Sequence, residues 1–272
     1  MDTIIKLNYS EPVLYLAIHN GNMLRNPLKK TIGISPLHRK LEEDPFTELF
    51  ISEKDNSIIQ NASRFEYDVN RKRESAVYVK PEDCWGIPIY PDYKLTDKDM
   101  NLSLQKYDYF YQQTTNIIEK FIDFYGKLFI WDVHSYNHHR KGANAEFDNP
   151  DDNPDIILGT NHYKYMPEKW KPLIDDIEKH LKTFSFKHRY KNRADIDLNF
   201  DVKQNIKFPG GNLSQLINSK YGDKVCCVAI EFKKIWMNEW TQEIDLECFT
   251  ELKKAFDSCD RLVRNFLHRI QA

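Results

Sequence analysis

"LFIWDVHSYNHHR", residues 128–140, joins an apolar run to an aspartate and three histidines. A short uninterrupted apolar run of this kind reads as a strand buried on both faces, ending where the polar residues begin. Asp132 and His134 are two apart, so a strand points both side chains to the same side. A rigid strand that delivers a carboxylate and an imidazole to its own exit has the layout of a metal ligand steered by an outer carboxylate.

Two further runs have the same character. "PVLYLAIH" (12–19) ends on His19, and "CCVAIEF" (226–232) carries Glu231 one residue before its end. Helical spacing appears at 103–125, with Ser103 as N-cap and Gly126 at C′, and again at 167–182 and 246–270. "SRFEYDVNR" (63–71) alternates Phe65, Tyr67 and Val69 with polar residues, the period of a strand with one buried face, and "SAVYV" (75–79) is a candidate neighbour. Buried strands alternating with helices predict a three-layer α/β/α architecture around a central mixed sheet, in one domain over 1–272. Long polar loops are expected at 20–44, 80–102, 137–165 and 187–213, where functional groups commonly sit.

The totals narrow the function classes. A net charge of −2 supplies no field toward nucleic acid or an anionic membrane. Five cysteines without a CxxC pair suit reduced, mostly buried thiols and a cytoplasmic setting. No apolar stretch approaches the ~18 residues of a membrane span, and the N-terminus does not read as a signal peptide. Neither a Walker-type loop nor a G-x-S-x-G elbow is present. His19, His134 and Glu231, all at or near the exits of apolar strands, are therefore the candidate chemistry, because open α/β sheets bind ligands at strand ends. Each taken alone also reads as a hydrogen-bonded structural residue, and His138 and His139 read as solvated or substrate-facing. Gly210–Gly211 allows close backbone approach or simply a turn.

"IWDVHSYN" resembles the third-ligand segment of zinc carboxypeptidases. The wider order resembles the N-formylglutamate amidohydrolase family more closely. "AIHNGN", "RKLEEDPFTELF", "SRFEYDVNR", "IWDVHS", "PDIILGT", "IKFPGGNLSQLINSKYG" and "CVAIEFKK" follow one another as that family's elements do, from about residue 12 to 240.

The resemblance implies a phosphorylase/hydrolase-like, zinc-peptidase-like fold and one Zn2+ ion, although a two-histidine, one-carboxylate set also accepts iron or manganese. His19 and His134 would be zinc ligands. An acid in "LEEDP" would be the third: Glu43 is chosen, then Asp44, then Glu42, since one sequence does not fix the register. Glu231 would be the general base and Asp132 an outer carboxylate to His134. Asn70 and Arg71 would hold a substrate carboxylate, and Arg64 would polarise the scissile carbonyl. The expected reaction is hydrolysis of an N-formyl or N-acyl amide in a small carboxylate-bearing substrate. The alternatives are a carboxypeptidase-like peptidase or deacylase at the same site, or a binding module without catalysis. Two departures stand out. Asn22 replaces the glutamate of the carboxypeptidase turn, and "YDYFYQQT" lacks a histidine that family members often carry there.

Overall fold

The computed structural model describes residues 1–90, 95–188 and 196–270. Strands β1 (Thr3–Lys6) and β2 (Val13–Ala17) are followed by three short helices, α1 (Asn26–Thr31), α2 (Pro36–Glu42) and α3 (Glu48–Ile51). Next come β3 (Ser57–Gln60), the long helix α4 (Asp97–Tyr125) and β4 (Leu128–Tyr136). The chain continues through β5 (Ile156–Gly159), α5 (Lys171–Leu181), β6 (Ser185–His188), β7 (Ile196–Asn199) and β8 (Val202–Gln204). Helix α6 (Asn212–Tyr221), β9 (Val225–Lys233) and α7 (Leu246–Arg269) complete it.

Seven strands form one sheet in the order β1-β3-β2-β4-β9-β5-β8, and β6 pairs with β7 separately. β3, β2, β4 and β9 are mutually parallel, while β1 runs antiparallel to β3 and β5 antiparallel to β9. The expected mixed sheet is present. Every residue of β4 is buried, because helices cover both faces. Phe129, Trp131 and Val133 pack with Phe256 of α7 and Leu173 of α5, whereas Leu128 and Ile130 pack with Phe121 of α4 and Ile217 of α6. Each fully buried side chain of this size contributes roughly 1.5–3 kcal/mol of apolar transfer.

Parallel register brings the chemistry to one edge. Leu16 pairs with Asp132, and His134 pairs with Glu231, so the carboxyl ends of β2, β4 and β9 lie side by side. His19 follows two residues beyond β2.

Several expectations are corrected. Residues 63–71 form turns rather than a strand, and 75–79 form no strand either. The alternation is real, but its polar members do not face water: Glu66 and Asp68 are buried in ion pairs with Arg25, Lys106, His19 and Arg64. Helix α4 begins well before Ser103, capped by Thr96, whose side chain and that of Asp99 satisfy each other's backbone N–H groups. Ser103 is buried and accepts from Arg25 at 2.7 Å. The 20–44 stretch carries α1 and α2, each with a proline in its first turn. The loop expected at 137–165 holds β5, that at 187–213 holds β7 and β8, and that at 80–102 ends in the start of α4, while 91–94 and 189–195 lie outside the described residues. Gly126 closes α4 as read, at φ 70°.

Candidate active site

His19, Asp44 and His134 meet at the carboxyl edge of the sheet. One donor atom from each lies within 4.8 Å of the others, and all three residues are buried. Nδ1 of His134 is 2.9 Å from Asp44 Oδ2, and Nδ1 of His19 is 3.5 Å from the same oxygen. The backbone contributes as well, with Asp44 N–H donating to His19 O at 3.0 Å.

The far side of each ring meets another carboxylate. His19 Nε2 lies 2.7 Å from Asp68 Oδ1, and His134 Nε2 lies 3.1 Å from Asp132 Oδ1. The second contact is at ion-pair distance but poorly aligned, so His134 Nε2 and both Asp132 oxygens lack an aligned hydrogen-bond partner. Burial alone would lower His134, yet the Asp132 charge holds its pKa well above the ordinary value. Burial would likewise raise Asp44, and hydrogen bonds with His134 and His19 instead hold it well below.

Asp68 is a hub. It is fully buried, takes Arg64 Nη2 at 2.8 Å, the Tyr78 hydroxyl and the Asn70 N–H, and stays well below the usual carboxylate range. Burial opposes that shift, and Arg64 and His19 overcome it. Its signal lies in "YDVNR", beside the Asn70 and Arg71 to which the resemblance gives substrate roles.

These residues fit a metal. Tetrahedral zinc with ~2.0–2.1 Å bonds places its ligand atoms about 3.3 Å apart, close to the 2.9 and 3.5 Å found here. The Asp68 carboxylate bonded to His19 Nε2–H leaves that ring's Nδ1 lone pair facing Asp44, and Asp132 stands beside His134 Nε2 at ion-pair distance. Asp44, Asp68, Asp132 and Glu231 also give this set four carboxylates against two buried cations, Arg64 and the neighbouring Lys234, an imbalance that a dication or imidazolium protons would relieve.

Glu43 is not in the cluster. Helix α2 ends at Glu42 and the chain becomes extended at Glu43, so neighbouring side chains diverge. Asp44 turns to the histidines, while Glu43 accepts from Ser63 and from Arg39 (3.3 Å). Burial pushes Glu43 up to about 7 against those donors. Glu42 pairs with Arg140.

A cavity of about 440 Å³ opens onto the cluster, a volume suited to a small molecule. Glu231 lines it beside His134, along with Arg64, Asn70, Gly210 and Gly211. Burial pushes Glu231 up to about 7, with His134 opposing and Asp44 adding to the shift. Arg71 does not reach the wall. Its guanidinium lies over Tyr78 at 5.6 Å and donates to Asp83 O at 3.5 Å. His138 is buried rather than solvated and stacks on Phe147 at 4.9 Å, and neither it nor His139 lines the cavity.

Trp85, Arg140, Lys207 and Lys234 also reach the wall, and no periodicity marked them. Trp85 lies 5.0 Å from the Arg64 guanidinium. All five cysteines are free and buried, and burial raises Cys226 and Cys227 well above the ordinary thiol value, so no thiolate nucleophile is on offer.

Fold and site together define a three-layer α/β protein with a metal-compatible His/Asp/His centre where its parallel strands end. The model of the N-formylglutamate amidohydrolase family matches residues 11–237, and the chain belongs to that family. Membership implies an amidohydrolase. The fold is similar to the crystal structure of N-formylglutamate amidohydrolase from Ralstonia eutropha JMP134, with TM-score 0.75, 17% identity and 98% of each chain covered. It is also similar to a gene product of Agrobacterium tumefaciens, with TM-score 0.61 and 18% identity over 95% of this chain and 96% of that one. A comparison with curated proteins finds no match. No described helix is long and apolar enough to cross a membrane.

Proposed function

We propose that the chain is a zinc-dependent hydrolase of an N-formyl or N-acyl amide bond in a small carboxylate-bearing substrate, working in the cytoplasm. The observation that carries this reading is the convergence of His19 Nδ1, His134 Nδ1 and Asp44 Oδ2 beside a cavity lined by Glu231. Those three residues would hold the ion. Zinc supplies Lewis acidity there, which makes water nucleophilic at neutral pH and polarises a carbonyl.

Glu231 takes the proton from the attacking water and returns it to the leaving amine. Asp68 and Asp132 fix the two imidazoles in orientation and tautomer. Arg64, held by Asp68, Tyr78 and Glu42 O, presents a positive guanidinium to the oxygen that gains charge. The five unpaired cysteines support a reducing compartment.

The test is zinc content together with hydrolysis of N-formyl and N-acyl amino acids by wild type and Glu231→Gln. Zinc removal is expected to abolish turnover, and Glu231→Gln to lower kcat by ~10²–10⁴. Full activity in metal-free protein would reject the class of chemistry.

A further inference from the structure

Four basic side chains among the described residues reach the wall of the catalytic cavity: Arg64, Arg140, Lys207 and Lys234. Two are charge-paired with carboxylates, and a third has every donor used. Arg64 is paired with Asp68 at 2.8 Å, and Arg140 meets both oxygens of Glu42. Lys234 donates to Leu41 O at 3.2 Å, Glu43 O at 3.0 Å and Asn137 Oδ1 at 2.7 Å. An ammonium has three donors, so Lys234 is saturated.

Lys207 differs. It donates to Asn153 Oδ1 at 2.5 Å and forms no ion pair with any described residue, so two N–H groups stay available. Its Nζ stands 4.9 Å from the ring centre of Tyr136, the last residue of β4 and two beyond the His134 ligand. The backbone aims it there at a conformational cost. Lys207 and Asn205 both sit in the left-handed region, at φ 60° and 58°, where non-glycine residues are uncommon and strain often marks function. Asn205 pins the segment to the end of β5: its N–H donates to Leu158 O at 3.0 Å, and its Oδ1 accepts from Thr160 N at 2.9 Å.

We infer that Lys207 receives the substrate's carboxylate and sets the preference for anionic amides, in place of Arg71, which does not line the cavity. The inference rests on the amide-hydrolase reading for the identity of the ligand, and its test is a binding measurement. Calorimetric titration of N-acetylglutamate and of its diamide into wild type, Lys207→Gly, Lys207→Met and Arg71→Met gives a selectivity ratio for each protein. Glycine suits φ 60° and keeps the loop's path.

Wild type should favour the anion. Both Lys207 variants should lose roughly tenfold to hundredfold of that preference, the size of one charge-assisted hydrogen bond, while Arg71→Met keeps the ratio. An unchanged ratio in the Lys207 variants, a ratio lost in Arg71→Met, or a wild type without preference overturns the assignment. Protein that binds N-acetylglutamate through Lys207 but hydrolyses no amide upholds it and sinks the catalytic reading instead.

Discussion

Nε2 of His19 lies 2.7 Å from Oδ1 of Asp68, a fully buried carboxylate that also holds Arg64, Tyr78 and the backbone of Asn70. One side chain thus fixes the tautomer of a candidate ligand and the position of the candidate oxyanion partner. Asp68→Asn should therefore weaken zinc binding about 10- to 100-fold. It should also cost about 3–5 kcal/mol of stability, because Arg64 loses its buried counter-charge. Asp132→Asn leaves the Arg64–Asp68 pair intact and should lower affinity with less loss of stability. Competition titration with a chromophoric chelator and denaturant unfolding read the two effects separately, and unchanged affinity in both variants would remove the outer carboxylates from the account.

Adjacent acids with opposite surroundings give a second contrast. Asp44→Ala should abolish tight zinc binding, whereas Glu43→Gln, whose carboxyl meets Ser63 and Arg39, should keep it. Metal analysis of the two purified variants settles the assignment. If Glu43→Gln loses the ion and Asp44→Ala retains it, the ligand set drawn above is wrong.

Glu43 also marks the stability profile. Its folded pKa, about 7, exceeds the ordinary 4.5, so the folded state holds the extra proton. Its contribution is complete below about 4.5 and is lost as pH rises through about 7, on the order of 3 kcal/mol. Glu43→Gln should flatten this part of the pH dependence of unfolding. Denaturant melts of metal-free protein from pH 5 to 8 measure it, and parallel curves for variant and wild type would contradict the burial argument.

The strands that carry the site were legible because continuous apolar runs leave few other structures, and two of them end on the groups that matter. His19, His134 and Glu231 could be found that way. The acidic ligand could not, since Glu42, Glu43 and Asp44 are chemically alike and only the last turn of α2 decides which one faces inward. The 63–71 segment misled for a related reason: period-two alternation cannot distinguish water-facing charges from charges buried against Arg25 and His19. Thr96 lies seven residues ahead of Ser103 with an aspartate at its third following position, a capping pattern that stands outside the stretch of apolar spacing. Lys207 left no pattern at all, because a single residue in a loop has no periodicity.

Close backbone approach ties the cavity wall to the sheet. A Cβ on Gly211 would fall 2.2 Å from Asn70 Nδ2, and one on Gly159 would fall 2.7 Å from Gly210 N. Gly211→Ala should displace the Asn70 side chain, which accepts from Leu213 N at 3.0 Å, at about 1–3 kcal/mol. Gly159→Ala meets backbone instead of a movable side chain and should cost more, shifting the segment that bears Lys207. Thermal unfolding and substrate KM for the two variants should rank in that order, and equal melting temperatures would show that the loop yields freely.

The last prediction concerns Glu231, which must be ionised to accept a proton. Burial raises its pKa to about 7, and a dication held by the neighbouring His134 and Asp44 favours the carboxylate and moves it back down. The acid limb of kcat/KM should therefore titrate between the ordinary 4.5 and about 7, with activity lost as pH falls through it. Glu231→Gln keeps the side chain's size but cannot take the proton. It should lower kcat by ~10²–10⁴ while zinc stays bound, and Glu231→Asp should fall between the two because its carboxylate is one methylene short. Stopped assays from pH 4.5 to 9 with zinc content checked at each end carry the test. A Glu231→Gln enzyme with wild-type kcat and an unchanged acid limb would assign the proton transfer to another group.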